Sequence, residues 1–151
     1  MSTTTVSFDD LPGLAGKDLG YTDYLEITQE QVNTFADATN DHQWIHVDPE
    51  RAKDGPFGAT IAHGFLTLSL IIPLWGELFD VEGVTTKVNY GLDRVRFTSP
   101  VPVGAKIRMH SSIDEVAEVK GGVQIKTGNT IEIEGQQRPA VVAEFLARFY
   151  K

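Results

Sequence analysis

Residues 65–79 read FLTLSLIIPLWGELF, and this stretch is apolar around most of a helical circumference. A helix of this kind is stable only when it is buried on nearly every side. The stretch is too short to cross a bilayer and is broken by Thr67, Ser69 and Pro73, so it is expected in a protein core. The rest of the chain must therefore wrap around it.

Most of the sequence after this helix alternates apolar and polar residues with the period of two that is typical of strands. Four such runs cover residues 84–97, 107–113, 123–133 and 141–149. Residues 23–28 predict one short strand before the helices. One strand, then helices, then four strands predict an α+β fold of the hot-dog type. In it, a largely antiparallel five-stranded sheet is wrapped around a long central helix at about residues 65–79.

Length and composition predict a single domain over residues 1–151. A chain of 151 residues with 41% hydrophobic content can bury a substantial core. Residues 1–20 contain two glycines between Pro12 and Leu19 and carry no sustained periodicity, so they are expected to form an irregular N-terminal arm.

Charge and residue usage exclude several functions. A net charge of -8 makes nucleic acid an unfavourable partner. The chain has no cysteine, which excludes disulfides and a thiol nucleophile. The N-terminus shows no basic region followed by an apolar core, so we expect no secretory signal, no membrane association and a cytoplasmic location.

Helix signals surround a polar stretch in the first half of the chain. Thr28 can cap a helix in which Val32, Phe35, Ala36 and Thr39 repeat at helical spacing. Further on, Asp48 can cap a short helix that begins at Pro49. The stretch between them, NDHQWIH at residues 40–46, is therefore expected in a loop.

This loop carries a carboxylate, Asp41, and an imidazole, His46, which together can perform acid/base chemistry. Alone, Asp41 is better explained as a turn residue, but His46 five positions later favours a catalytic pair. His42 is expected to be exposed. His63 either contacts the substrate or hydrogen-bonds the backbone beneath the pocket. The sequence lacks a His-Glu-x-x-His arrangement, so no metal is predicted.

The residues of this loop resemble those of the MaoC-like dehydratases, a hot-dog family that contains (R)-specific enoyl-CoA hydratases. The family motif is Asp, any residue, Asn-Pro, an aliphatic residue and His; Asp41, Ile45 and His46 match it, whereas Gln43 and Trp44 replace Asn-Pro. The segments AHGFL at 62–66 and DRVRF at 93–97 are also similar to the family. The sequence on either side of the motif is most similar to that of the nodulation protein N-like branch.

The resemblance implies an enzyme, an (R)-specific enoyl-CoA hydratase that reversibly adds water to trans-2-enoyl thioesters in fatty-acid metabolism. It implies Asp41 and His46 as the catalytic pair, the Gly64 N–H as oxyanion donor and a homodimer. The substrate is expected to be a thioester of coenzyme A or acyl carrier protein, with no cofactor. Further candidates for substrate binding are Gln43, Trp44, His63, Arg94 and Arg96.

The residues leave other interpretations open. Arg94 and Arg96 share one strand face by period two, where they could hold phosphates of coenzyme A or belong to a solvated sheet edge. A hot-dog thioesterase would bind similar thioesters, although the paired His46 disfavours it. A non-catalytic acyl-thioester binding module is the third alternative, suggested by the altered residues Gln43 and Trp44.

Overall fold

The computed structural model describes residues 3–151. In chain order its elements are β1 (Thr4–Ser7), a 3-10 helix (Phe8–Gly13), β2 (Asp18–Tyr21), β3 (Leu25–Glu26), α1 (Gln29–Thr39), α2 (Trp44–Val47), α3 (Pro49–Ala52), α4 (Gly64–Ser69), α5 (Ile71–Leu78), β4 (Phe79–Glu82), β5 (Thr86–Phe97), β6 (Lys106–Val119), β7 (Gly122–Ile133) and β8 (Val141–Tyr150).

The main sheet has six strands and confirms the predicted hot-dog architecture. Its order is β2-β6-β7-β8-β5, with β3 also paired to β6, and these pairings are antiparallel. Burial alternates strictly along β7, as its sequence pattern predicts. Ile125 and Ile131 point inward there and are fully buried in the core.

The central helix consists of α4 and α5 rather than one unbroken helix over residues 65–79. The break lies at Leu70, between the two helices. Pro73 is its physical cause, because proline has no N–H to donate to the Ser69 carbonyl and its ring collides with that carbonyl. Nowhere in residues 3–151 is a helix both long and apolar enough to span a membrane.

The N-terminal arm differs from the prediction of irregular structure. Within its described part, residues 3–20, lie β1, the 3-10 helix and most of β2, while residues 1 and 2 lie outside the described part. β1 pairs in parallel with β4, and β2 pairs with β6. Both pairings join segments far apart in sequence, and these strands are too short to show a period. β2 also raises the number of strands in the main sheet from the predicted five to six.

The segments that lead into the candidate site form largely as predicted. The Thr28 hydroxyl accepts the Gln31 N–H and so caps α1, and Asp48 caps α3 in the same way by accepting the Arg51 N–H. The strand before α1 is shorter than the predicted 23–28, since only Leu25–Glu26 pairs with β6.

Candidate functional site

Three side chains from different segments meet at the entrance to the central helix. Asp41 follows α1, where Asn40 adopts the left-handed conformation (φ 60°) and ends the helix. His46 lies in α2, a short helix where the sequence predicted a loop, and His63 is the residue immediately before α4. One ligand-type atom from each of Asp41, His46 and His63 lies within 4.8 Å of the other two. The structure therefore brings the predicted acid/base pair together and adds His63.

His46 is buried and held at both its ring and its backbone. Its Nδ1 lies 2.7 Å from the carbonyl oxygen of Ile61, so this nitrogen carries the proton and donates. The Gln29 side chain donates to the His46 carbonyl at 2.8 Å. Because Nδ1 is the donor, Nε2 of the neutral ring keeps a free lone pair that can accept a proton.

His63 is the most buried of the three, with 3% of its side chain exposed. Its Nε2 donates to the Asp41 carbonyl oxygen at 3.0 Å. The ring stacks on His46 with centroids 3.9 Å apart and an angle of 21° between the planes. Among the described residues, its Nδ1 has no hydrogen-bond partner.

Asp41 presents its carboxylate to solvent, with 52% of its side chain exposed. Oδ1 accepts the backbone N–H of Gln43 at 3.4 Å, and Oδ2 lies 4.0 Å from Nε2 of His63. This carboxylate can therefore accept hydrogen bonds from water. Gln43 itself is exposed, and its contact with Asp41 is through the backbone.

Gly64 begins α4, so its N–H has no acceptor within the helix. A cavity of about 360 Å³ adjoins it, lined by Ile61, Ala62, Gly64, Thr67, Phe97, Thr98, Ser99, Pro100, Val101, Ala140 and Val141. A Cβ at Gly64 would lie 3.2 Å from ring atoms of Phe97, which is tighter than an ordinary contact. Glycine therefore allows the Phe97 ring to pack closely against the backbone at the start of α4.

Trp44 turns towards its own loop rather than towards the cavity at Gly64. Its ring lies 4.3 Å from the guanidinium of Arg51 and packs so closely on Gly55 that a Cβ there would be 3.0 Å away. This arrangement braces α2, the helix that carries His46.

The two candidate arginines lie exposed on β5, and neither is among the residues that line the cavity at Gly64. Arg96 is opposite Val142, whose side chain is partly exposed on the outer face of the sheet. Arg94 lies in a bulge between Leu92 and Val95. Their predicted contact with phosphates stays a prediction.

A metal ion is disfavoured by the way the cluster is built. Stacked imidazole rings direct their nitrogen lone pairs in parallel planes, whereas a metal needs lone pairs that converge on one point. His46 Nδ1 and His63 Nε2 are in addition used as donors to backbone carbonyls.

Gln29 and Thr60 support the site but were not predicted from the sequence. The Thr60 hydroxyl donates to the amide oxygen of Gln29 at 2.6 Å, and the amide nitrogen of Gln29 reaches the His46 carbonyl. These residues are 31 positions apart. No periodicity or short motif links positions so distant, so the sequence offered no signal for this contact.

Comparisons with known proteins identify the family of the chain. Residues 11–135 match the family model described as "MaoC like domain". The 3-hydroxyacyl-thioester dehydratase Z of Mycobacterium tuberculosis is 52% identical over 147 residues, which is 97% of each chain. Nodulation protein N of Rhizobium leguminosarum bv. viciae is 43% identical over 145 residues, covering 93% of this chain and 89% of that protein.

Among solved structures, the (R)-hydratase from A. caviae involved in PHA biosynthesis superposes with a TM-score of 0.70 at 25% identity. The match covers 88% of this chain and 94% of the other. These findings confirm the hot-dog fold, the predicted hydro-lyase class of enzyme and the resemblance to nodulation protein N. The chain belongs to the MaoC-like domain family of dehydratases.

Proposed function

We propose that the protein is an (R)-specific enoyl-CoA hydratase that reversibly adds water to trans-2-enoyl-CoA and gives (R)-3-hydroxyacyl-CoA. The observation that carries the proposal is the meeting of Asp41 and His46 within 4.8 Å, beside the open start of α4. The names of the dehydratase relative and of the (R)-hydratase neighbour support the same reaction class.

In the proposed reaction, His46 and Asp41 divide the proton transfers between them. His46 Nδ1 is occupied by the Ile61 carbonyl, so its Nε2 is the atom available to take a proton from water. The oxygen of that water forms a bond to C3 of the substrate, and the C2=C3 double bond moves its electrons towards the thioester carbonyl. Asp41 orients the water, and the proton that His46 took up is passed to C2 through Asp41, so that both groups end in their starting protonation states.

The developing enolate oxygen needs a hydrogen-bond donor. We assign this role to the N–H of Gly64, which faces no intrahelical acceptor and lies at the cavity. A donor of this kind contributes ~3 kcal/mol to transition-state stabilisation. Adding water across a double bond requires no external oxidant or reductant, so no redox cofactor is part of the proposal.

A second copy of the chain is proposed to complete the site. β5 ends the main sheet and pairs only with β8 within it, so its other edge has open backbone groups. Large apolar side chains are exposed beside this edge: Phe65, Ile72, Tyr90, Leu92 and Phe97. Phe65 and Phe97 also flank Gly64, which would place the pocket near the interface of a homodimer.

The substrate thioester is proposed to be carried by coenzyme A or by acyl carrier protein, and the protein to act in the cytoplasm. Exposed Arg94 and Arg96 are the proposed contacts for phosphate groups, because guanidinium binds phosphate in a bidentate manner. Gln43 and Trp44 are proposed to act mainly by shaping the loop between Asp41 and His46.

The proposal is tested by following the enoyl absorbance of crotonyl-CoA and of a longer trans-2-enoyl-CoA, and by assigning the chirality of the product. Asp41→Asn and His46→Gln are each expected to lower turnover by more than ~10²-fold, because each removes a proton-transfer group. His42→Gln is the matched control, since His42 is exposed and hydrogen-bonds Asp37 instead. Binding of either thioester without turnover by the wild-type protein would favour a non-catalytic module.

A further inference from the structure

We propose that His63 is a positioning residue for the proton-transfer pair, not a substrate contact. The inference rests on the proposed hydratase function and deepens it. In this arrangement, the Nε2–H of His63 fixes the backbone of Asp41, while the face of the same ring supports the imidazole of His46. A single buried side chain thus sets the relative placement of both groups.

The location of His63 excludes it from the cavity. Its neighbours Ala62 and Gly64 line that space, whereas none of Asp41, His46 and His63 does, so burial is what distinguishes His63. Only 3% of its side chain is exposed. Its ring is instead enclosed between Phe35, with centroids 4.8 Å apart, and His46, with centroids 3.9 Å apart. The ring of His63 is thus covered by Phe35 and His46, and its Nε2–H is used by the Asp41 carbonyl.

The hydrogen bonding of His63 shows which part of the ring matters. Nδ1 is buried and has no partner among the described residues, and a buried polar atom without a partner is unfavourable for folding. An apolar ring of the same size would avoid that cost. Nε2 donates to the Asp41 carbonyl, and this bond is the interaction that an apolar ring could not make.

The Asp41 backbone needs such an anchor. Its N–H is bonded to the Ala36 carbonyl, but its side chain is exposed, with Oδ1 3.4 Å from the Gln43 nitrogen and Oδ2 4.0 Å from Nε2 of His63. Asp41 also follows Asn40 in the left-handed conformation, where the chain leaves α1. Without the His63 donor, the loop could shift and move the carboxylate away from His46. A displacement of about 1 Å is enough to cost ~10²-fold in rate.

Two substitutions of His63 separate the ring from its donor. His63→Phe keeps a flat ring that can stack on His46 but removes the donor to Asp41. His63→Gln removes the ring but carries an amide nitrogen that can occupy the position of Nε2. His110→Phe is the matched control, because His110 lies on β6 beside Tyr21 and bonds the exposed Asp18.

We expect His63→Phe to lower kcat by about 10- to 100-fold with crotonyl-CoA, to change KM by less than about threefold and to leave Tm equal or higher. His63→Gln is expected to recover most of the lost kcat despite a lower Tm. The backbone carbonyl ¹³C resonance of Asp41 should move upfield in His63→Phe and much less in His63→Gln, which reports the donor directly.

The outcomes separate this inference from the function on which it rests. Wild-type kcat in His63→Phe, or equal loss in both variants, would overturn the positioning role and leave the hydratase function intact. An inactive wild-type protein would overturn both. If His63→Phe lowers kcat and Tm together, the role of His63 is structural only, and this outcome would also overturn the proposal.

Discussion

The contact between Gln29 and Thr60 allows a quantitative test of how His46 is held. Gln29→Leu removes three hydrogen bonds: its own donation to the His46 carbonyl at 2.8 Å, the donation that it receives from Thr60 at 2.6 Å, and its donation to the Asn33 side chain at 2.9 Å, which is exposed and contributes little. The first loss costs about 1 kcal/mol. The Thr60 side chain is buried, so the second loss leaves a buried hydroxyl without its acceptor and costs about 1–3 kcal/mol. The free energy of unfolding should fall by roughly 2–4 kcal/mol.

The second substitution of this double-mutant cycle is at Thr60. Thr60→Val removes the donor, but the amide oxygen of the half-buried Gln29 can still reach water, so the expected loss is only about 1 kcal/mol. In the double variant no buried hydroxyl is left unpaired. It should therefore be more stable than Gln29→Leu alone, by about 1–2 kcal/mol.

The assay is urea unfolding followed by tryptophan fluorescence at one fixed protein concentration, since dimer formation would make stability depend on concentration. Equal slopes against urea are required for the comparison. If the double variant is less stable than the wild type by the sum of the two single losses, the two residues are independent and the reasoning about this contact is wrong.

Three other substitutions test further contacts. Gly55→Ala should change the fluorescence of Trp44, because the new Cβ would lie 3.0 Å from the Trp44 ring. It should also lower kcat by several-fold, because Trp44 lies in α2 with His46. Gly122→Ala should lower the free energy of unfolding by about 2 kcal/mol or more, as measured in urea, because its Cβ would overlap the Phe149 carbonyl oxygen. The Gly20 N–H and His110 lower the pKa of Asp18, so this carboxylate stabilises the fold above the unfolded pKa of ~3.9 and loses that contribution as pH falls. Asp18→Asn should consequently weaken the loss of stability below pH ~4 in urea titrations, and an unchanged pH profile would contradict this assignment.

The sequence predicted those parts of the fold in which local pattern and burial agree. The alternation along β7 and the Thr28 cap of α1 are short-range signals, and both are confirmed. The parallel pairing of β1 with β4 could not be predicted, because it depends on contacts between Thr4 and Phe79 that no local period records. Pro73 indicated a break in the central helix, but the apolar pattern on both sides of it favoured one continuous helix, so the break at Leu70 was not predicted.

In the site, too, residues close together in sequence could be predicted, whereas contacts between distant residues could not. Asp41 and His46 are five positions apart, so a motif can record them, and the structure does bring them together. The role of Trp44 could not be predicted, because its direction is set by the space that Gly55 leaves open 11 residues later. His63 was noticed for its position before Gly64, yet its contact with the Asp41 carbonyl spans 22 residues and required the folded chain.

The two members of the proposed pair are supported unequally, and this difference has a chemical consequence. His46 is buried and held through both its ring and its carbonyl, whereas the Asp41 side chain is anchored only near its backbone and is half exposed. A fixed imidazole presents one nitrogen in one direction, as activation of a single water molecule requires. An exposed carboxylate stays in contact with solvent, from which the reacting water is recruited. In the proposed reaction, the rigidity of His46 thus serves the bond to C3, and the exposure of Asp41 serves the supply of water.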